Sequence, residues 1–446
     1  MSTTPSGPTA QTAPSWRNWS GLESADGLEV VQPADAAEVA EVVRRARAAG
    51  RTVKSAGTGH SFTGIATPRH VHLRPERMRG IVAVDRDAMT VTALAGTQLK
   101  VFNAELAQLG LSLHNMGDIA EQTLAGAIST GTHGTGGRAA GLAAQVVGLE
   151  LVTGTGEVLR ASATENPDVL DLGRVGLGAL GVLTTITFAV EPLFLLRAEE
   201  RPMSWTDALA AFDDLTAAHD HVDMYWFPHS DRMLTKRNTR VGTDLTAARP
   251  LPRWRAWLDD DLLSNKVFGA QTATLNLVPR AIPAANRFAS RLLGPRTYTD
   301  IAHRVFTTER EVVFREMEYA VPRAAGLDAL RECRTAFERS GLTVSFPVEI
   351  RVAPADDVPL STSYDRDSFY LAFHTHRRAD HRAYFALMEP IMRAHGGRPH
   401  WGKLHTLDAD DVAGLYPRLP ELLALRERLD PDRVFTNTYL DRVLGA

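Results

Sequence analysis

The sequence predicts a two-domain α+β protein, and three observations lead there. At 446 residues the chain exceeds what one compact core ordinarily organises. Up to about residue 190, short strands alternate with helical stretches joined by glycine-rich turns. After Pro192 the texture changes to a long region richer in aromatic and charged residues, so a first domain is expected to end near Arg197.

The elements follow in order. Residues 1–15 are rich in Ser, Thr, Pro and Ala, with neither a basic start nor an apolar run. Residues 1–19 are therefore expected to form a disordered tail and not a signal peptide. Asp35 and Glu38 have capping-box spacing, and Val39, Val42, Val43 and Ala46 recur at helical intervals before Gly50 stops the run. Residues 52–56 alternate into a strand that ends at Gly57, residues 91–95 form a second, and residues 98–109 read as a helix stopped by Gly110. Residues 147–152 and 157–161 flank Thr-Gly-Thr-Gly, which is hairpin chemistry, and residues 179–190 give one more strand. Beyond residue 203 the pattern weakens, with polar or proline-bearing stretches such as 249–253. Strands are expected at 344–352 and 369–374 and helices at 383–394 and 420–429, the last with proline in its first turn.

The composition is that of a packed globular protein, 44% apolar and 23% charged. A net charge of -4 provides no basic field for nucleic acid. No segment stays apolar for the ~18–20 residues that a membrane span needs, and a cytoplasmic location is expected. Cys333 is the single cysteine, which excludes an intrachain disulfide and suits a small buried hydrophobe.

Gly57, Thr58, Gly59, His60 and Ser61 follow a strand, where glycines let backbone amides approach phosphate oxygens. The dinucleotide fingerprint is not met, because Ser61, Phe62 and Thr63 open no convincing helix. A second glycine-rich stretch, residues 126–137, carries Ser129, Thr130, Thr132, His133 and Thr135, whose hydroxyls and amides suit a pyrophosphate, although the stretch also reads as a plain surface loop. Glu349 and Arg351 stand two apart on an expected strand, so both leave the same face as a substrate-binding pair or a surface ion pair. His374 and His376 share that spacing, but no further carboxylate or cysteine completes a recognisable ligand set, and no metal is expected.

The stretch AGTGHSFTGIA at 56–66 resembles the flavin-attachment loop of the aldonolactone oxidase and alditol oxidase family. THGTG at 132–136, LGALGV at 177–182, RPHWGK at 398–403 and LDPDRVFTN at 429–437 match the same family, so the resemblance is nearly full-length. It implies a vanillyl-alcohol-oxidase-type (PCMH-type) FAD domain over residues 20–197, an α+β substrate domain over 198–399, and a C-terminal segment, 400–446, that returns to the FAD domain.

The resemblance further implies FAD held covalently through the imidazole of His60. Its cofactor contacts would be Gly57, Thr58, Gly59, Ser61, Phe62, Gly117, Asp118, Thr123, Ser129, Thr132, Gly134, Gly136, Gly181 and Val182. Glu349, Arg351, His374 and Lys403 would form the active site, with Lys403 a cation near the reacting centre. The expected reaction oxidises a hydroxyl of an aldonolactone of the L-gulono-1,4-lactone or D-arabinono-1,4-lactone type, passing electrons to oxygen, an artificial dye or a cytochrome. Two alternatives stand beside it: an alditol oxidase acting on xylitol or sorbitol, and a flavin carrier that has lost catalysis. Asp118 replaces the serine with which alditol oxidases contact their polyol, which favours the lactone.

Overall fold

The computed structural model describes residues 15–252, 268–308 and 312–445. The fold begins with β1 (Glu29–Val31), α1 (Ala36–Ala48), β2 (Val53–Ser55) and β3 (Val71–Leu73), and the three strands form a parallel sheet in the order β1-β3-β2. The capping box is realised in α1: the Glu38 amide donates to Asp35 Oδ1 at 2.9 Å, while Glu38 Oε2 accepts from the Ala34 amide. Its apolar stripe, Val39, Val42, Val43 and Ala46, is buried.

Next come β4 (Ile81–Asp85), β5 (Thr90–Leu94), α2 (Leu99–Gln108), α3 (Leu124–Ser129), β6 (Val146–Val152), β7 (Val158–Ser162) and β8 (Val182–Ala189). The strands make an antiparallel sheet in the order β7-β6-β8-β5-β4, with the Thr-Gly-Thr-Gly turn joining β6 to β7.

The second region is built on β9 (Leu195–Ser204), β10 (His221–Trp226), β11 (Arg232–Gly242), β12 (Arg296–Ile301), β13 (Phe314–Pro322), β14 (Val348–Ala353), β15 (Ser368–His376) and β16 (Arg398–Pro399). They form one antiparallel sheet in the order β12-β9-β11-β10-β14-β15-β13-β16. Two helices, α4 (Gly326–Ser340) and α5 (Arg382–Ala394), pack on one another and on β15 and β13. Every residue of β15 is buried, because helices cover one face and the first region faces the other. Cys333 of α4 lies in this core, where burial raises its thiol pKa.

The chain then returns to where it began. Val53 donates to Val434 O at 2.8 Å, the Phe62 amide donates to Gly402 O at 2.7 Å, and Asn437 Nδ2 donates to the carbonyls of Gly64, Ile65 and Thr67. The helices α6 (Leu419–Leu429) and α7 (Thr438–Leu444) frame this segment.

One expectation needs correction. Trp16–Arg17 pair with Ser24–Ala25 as a small hairpin, and Trp16 is buried with Leu28 and Ala56, so the disordered tail cannot reach residue 19. Residues 1–14 lie outside the described residues. Arg197, near which the first domain is expected to end, sits inside β9.

Candidate active site

The loop after β2 opens onto a cleft. Gly57 has no room for a side chain, since a Cβ there would lie 2.4 Å from Thr123 Oγ1, and Gly59 has φ +69°, a left-handed conformation that glycine adopts without strain. The amides on either side of this turn are used: Ala56 donates to Leu73 O and Phe62 to Gly402 O. Those of Gly57, Thr58, Gly59, His60 and Ser61 donate to no other group among the described residues. Five adjacent unbonded N–H groups facing a cleft form a cradle for an anion.

The cleft encloses about 840 Å³ including its mouth, and the five cradle residues line it with Thr123, Ser129, Gly181 and Val182. The remaining cofactor candidates lie elsewhere. Phe62 is an apolar ring and turns into the core, 5.7 Å from Phe314 and 6.1 Å from Trp19 between centroids. Thr132 donates to Gln122 Oε1 at 3.3 Å. Gly134 and Gly136 carry their loop against its neighbours: a Cβ on Gly134 would stand 2.3 Å from Met116 O, and Gly136 donates to Val352 O of β14 at 2.8 Å. Gly117 packs under that loop, and Asp118 lines a second cavity.

His60 sits at the rim of the cleft with its ring 5.6 Å from Trp19. Burial lowers its pKa, with Lys403 and Lys100 adding to the effect against Glu121, so its imidazole is neutral at pH 7.

The second cavity, about 2200 Å³ counting its mouth, lies between the first region and the eight-stranded sheet. Asp118, Asp223, Lys236, Arg351 and His374 line it. Arg351 is its hub: Nη2 lies 2.8 Å from Glu349 Oε1 and 3.7 Å from Asp118 Oδ1, and Nε donates to Asp223 Oδ1 at 2.9 Å. Burial alone would lower the Arg351 pKa, but Glu349, Asp223 and Asp118 raise it well above its ordinary value.

Behind this hub lies a second buried network. Glu316 and Glu318 leave the same face of β13, and Lys403 contacts Glu316 directly and approaches Glu318 at 3.9 Å. His374 Nδ1 donates to Pro347 O at 3.1 Å while Nε2 stands 3.4 Å from Glu316 Oε1, so both ring nitrogens face acceptors of the protein. His133 makes the matching contact with Glu318 at 2.7 Å. Burial would raise both carboxyls, yet Lys403 and His374 hold Glu316 well below the usual carboxylate range, and His133 and Lys403 bring Glu318 down to about 2.

His376 is buried away from the cavity and accepts from the Arg378 amide at 3.3 Å. Among the described residues no group of three or more His, Cys, Asp or Glu could hold a metal ion, and no helix is long and apolar enough to cross a membrane.

Sequence reasoning missed Asp223, Lys236, Glu316, Glu318 and Trp19. One signal was available: in FREMEYA, Glu316 and Glu318 repeat the two-residue spacing of Glu349 and Arg351 within an apolar strand.

Comparison with known proteins accounts for both regions. Residues 28–162 match the family described as FAD binding domain, and residues 186–443 match D-arabinono-1,4-lactone oxidase. The chain belongs to the D-arabinono-1,4-lactone oxidase family. L-gulono-1,4-lactone dehydrogenase of Mycobacterium tuberculosis is 38% identical over 401 residues, covering 90% of this chain and 92% of that protein. Alditol oxidase of a Streptomyces species is 33% identical over 413 residues, covering 88% and 90%. A solved structure of cholesterol oxidase from Brevibacterium sterolicum, a histidine-to-alanine variant, superposes with a TM-score of 0.82 at 18% identity and 96% coverage of each chain, a likeness of fold alone. The protein is thus an FAD-linked oxidoreductase of the D-arabinono-1,4-lactone oxidase family with a PCMH-type flavin fold. The unbonded amides of 57–61 and the hydroxyls of Thr123 and Ser129 fit the pyrophosphate of FAD.

Proposed function

We propose that the enzyme oxidises a hydroxyl of an aldonolactone of the L-gulono-1,4-lactone or D-arabinono-1,4-lactone type, at the cavity around Arg351. The observation that carries this reading is the convergence of Glu349, Asp223 and Asp118 on one buried guanidinium in a cavity bordered by the THGTG loop. FAD, held by the amides of residues 57–61 with Thr123 and Ser129, would supply the hydride acceptor for this oxidation. The protein supplies everything else. Glu349 and Asp223 accept hydrogen bonds from substrate hydroxyls and orient the carbinol. Arg351 stabilises the developing alkoxide, and the carboxylates around it take up the hydroxyl proton. With both nitrogens committed, His374 positions Glu316 and, through it, Lys403, which adds positive charge beside the reacting centre. A dye-reduction assay over L-gulono-1,4-lactone, D-arabinono-1,4-lactone, xylitol and sorbitol tests the reading. Faster turnover of the lactones is the expected order. Faster turnover of the alditols would establish the second reading, alditol oxidase, which the Streptomyces relative favours.

The covalent bond to His60 belongs to the same proposal, supported by a neutral imidazole at the rim of the cleft. After denaturation in acid or detergent the yellow colour should stay with the polypeptide, and His60→Ala should release it. Flavin that passes a filter from denatured wild type rules out the bond.

For the acceptor, we propose that oxygen reoxidises the enzyme and that a dye or cytochrome serves as well. A Cβ on Gly117 would stand 3.1 Å from both His133 O and Thr132 Cγ2, so Gly117→Ala crowds this loop. Stopped-flow reoxidation in air-saturated buffer should be faster in wild type than in Gly117→Ala with the flavin spectrum unchanged. Wild-type reoxidation no faster than that of free reduced flavin would make the protein a dehydrogenase.

A further inference from the structure

The cavity extends well past Arg351, and its far wall is polar. Lys236 on β11 stands directly opposite Asp223 on β10 and Glu200 on β9, and Glu200 stands opposite Arg296 on β12. Residues directly opposite on antiparallel strands share a face, so Arg296, Glu200, Lys236 and Asp223 form one row that Arg351 continues. All five line the cavity. Cations and anions alternate along the row, which suits a neutral molecule rich in hydroxyls better than an acid or a base.

Lys236 is enclosed by protein, yet it keeps surface on the cavity. Its ammonium has three N–H bonds, and one of them donates to Val305 O at 2.9 Å. Burial works against its charge, but Tyr298, Asp223 and Glu200 hold its pKa above the ordinary value, so it is a cation at neutral pH. Asn238, two residues along the same strand face, also lines the cavity and is 1% exposed, and its Oδ1 has no hydrogen-bond partner among the described residues. A buried amide oxygen left unpaired is costly unless a ligand completes it. Lys236 lies two strands from Arg351, roughly 10 Å at the usual strand spacing. A substrate whose reacting carbinol is held at Arg351 therefore reaches Lys236 only through hydroxyls several carbons away.

We propose that Lys236 and Asn238 form a distal hydroxyl subsite that selects substrates by length, favouring a six-carbon lactone with a hydroxylated side chain over a four-carbon lactone without one. The inference rests on the functional reading above. If Lys236 were merely a counter-ion for Asp223 and Glu200, its removal would slow all substrates alike.

The experiment measures anaerobic flavin reduction in the purified holoenzyme by L-gulono-1,4-lactone and by a four-carbon 1,4-lactone, with sorbitol and erythritol as the parallel alditol pair. The quantity read is the ratio of second-order reduction constants, long over short. Lys236→Met should lower that ratio roughly 10- to 100-fold, the range of one hydrogen bond to a charged group, and Lys236→Arg should recover part of it. Asn238→Leu, which removes no side-chain hydrogen bond seen among the described residues, should lower the same ratio and decides the matter if Lys236→Met does not fold. A ratio within twofold of wild type in the folded variants overturns the subsite while leaving the functional reading intact. Failure of all four compounds to reduce the wild-type flavin overturns both.

Discussion

Arg351→Lys and Glu349→Gln are expected to retain bound flavin while the reductive half-reaction slows by ~100-fold or more. Arg351 addresses Glu349, Asp223 and Asp118 with a planar fork that spans three carboxylates at once. Lysine keeps the charge but concentrates it at one point, so at least one carboxylate loses its partner and the alkoxide loses a directed donor. Glutamine at 349 keeps the shape and removes the charge that aligns Arg351. Stopped-flow absorbance at the flavin band, with flavin content measured on the same preparation, separates lost chemistry from lost cofactor. Near-normal reduction in both variants would remove these residues from the active site.

Lys403→Met is expected to destabilise the protein by about 3–5 kcal/mol, because it strands two buried carboxylates. The same variant should lose less stability to acid than the wild type does. In the folded wild type the Glu318 carboxyl, which burial would raise but His133 and Lys403 lower, titrates at about 2 against an ordinary 4.5. As pH falls, the unfolded chain binds that proton first. The stabilisation present above pH 4.5 is therefore lost between 4.5 and 2. Without Lys403 the folded carboxyl titrates closer to its unfolded value, folded and unfolded chains differ less in bound protons, and the acid limb of the stability curve becomes shallower. Thermal unfolding from about pH 2 to 7 reads this directly, as a deficit of the variant that narrows toward acid. A double change, Lys403→Met with Glu316→Gln, should restore part of the stability by removing one stranded charge. An unchanged acid limb in the single variant would mean that the three groups do not form a coupled network.

The contrast between legible and illegible parts of the chain has a physical cause. The helix Ala36–Ala48 was readable because its cap and its apolar stripe agree, and the hairpin Val146–Val152 with Val158–Ser162 because its turn chemistry sits between two apolar runs. The strands His221–Trp226, Arg232–Gly242 and Phe314–Pro322 gave no such signal. Their inward faces carry Asp223, Lys236, Glu316 and Glu318, so the alternation of apolar and polar residues does not separate inside from outside. The glycine loop at 57–61 and the pair Glu349 and Arg351 could be found from spacing and composition. Trp19 and Asp223 could not, because they meet His60 and Arg351 only through pairing of segments distant in the chain.

Lactone oxidation at the Arg351 cavity is tested most directly by anaerobic titration of the purified yellow protein with L-gulono-1,4-lactone, following the flavin absorbance. Bleaching that saturates is expected, at a rate that Arg351→Lys lowers ~100-fold. A wild-type flavin that stays oxidised in the presence of lactones and alditols alike would contradict it.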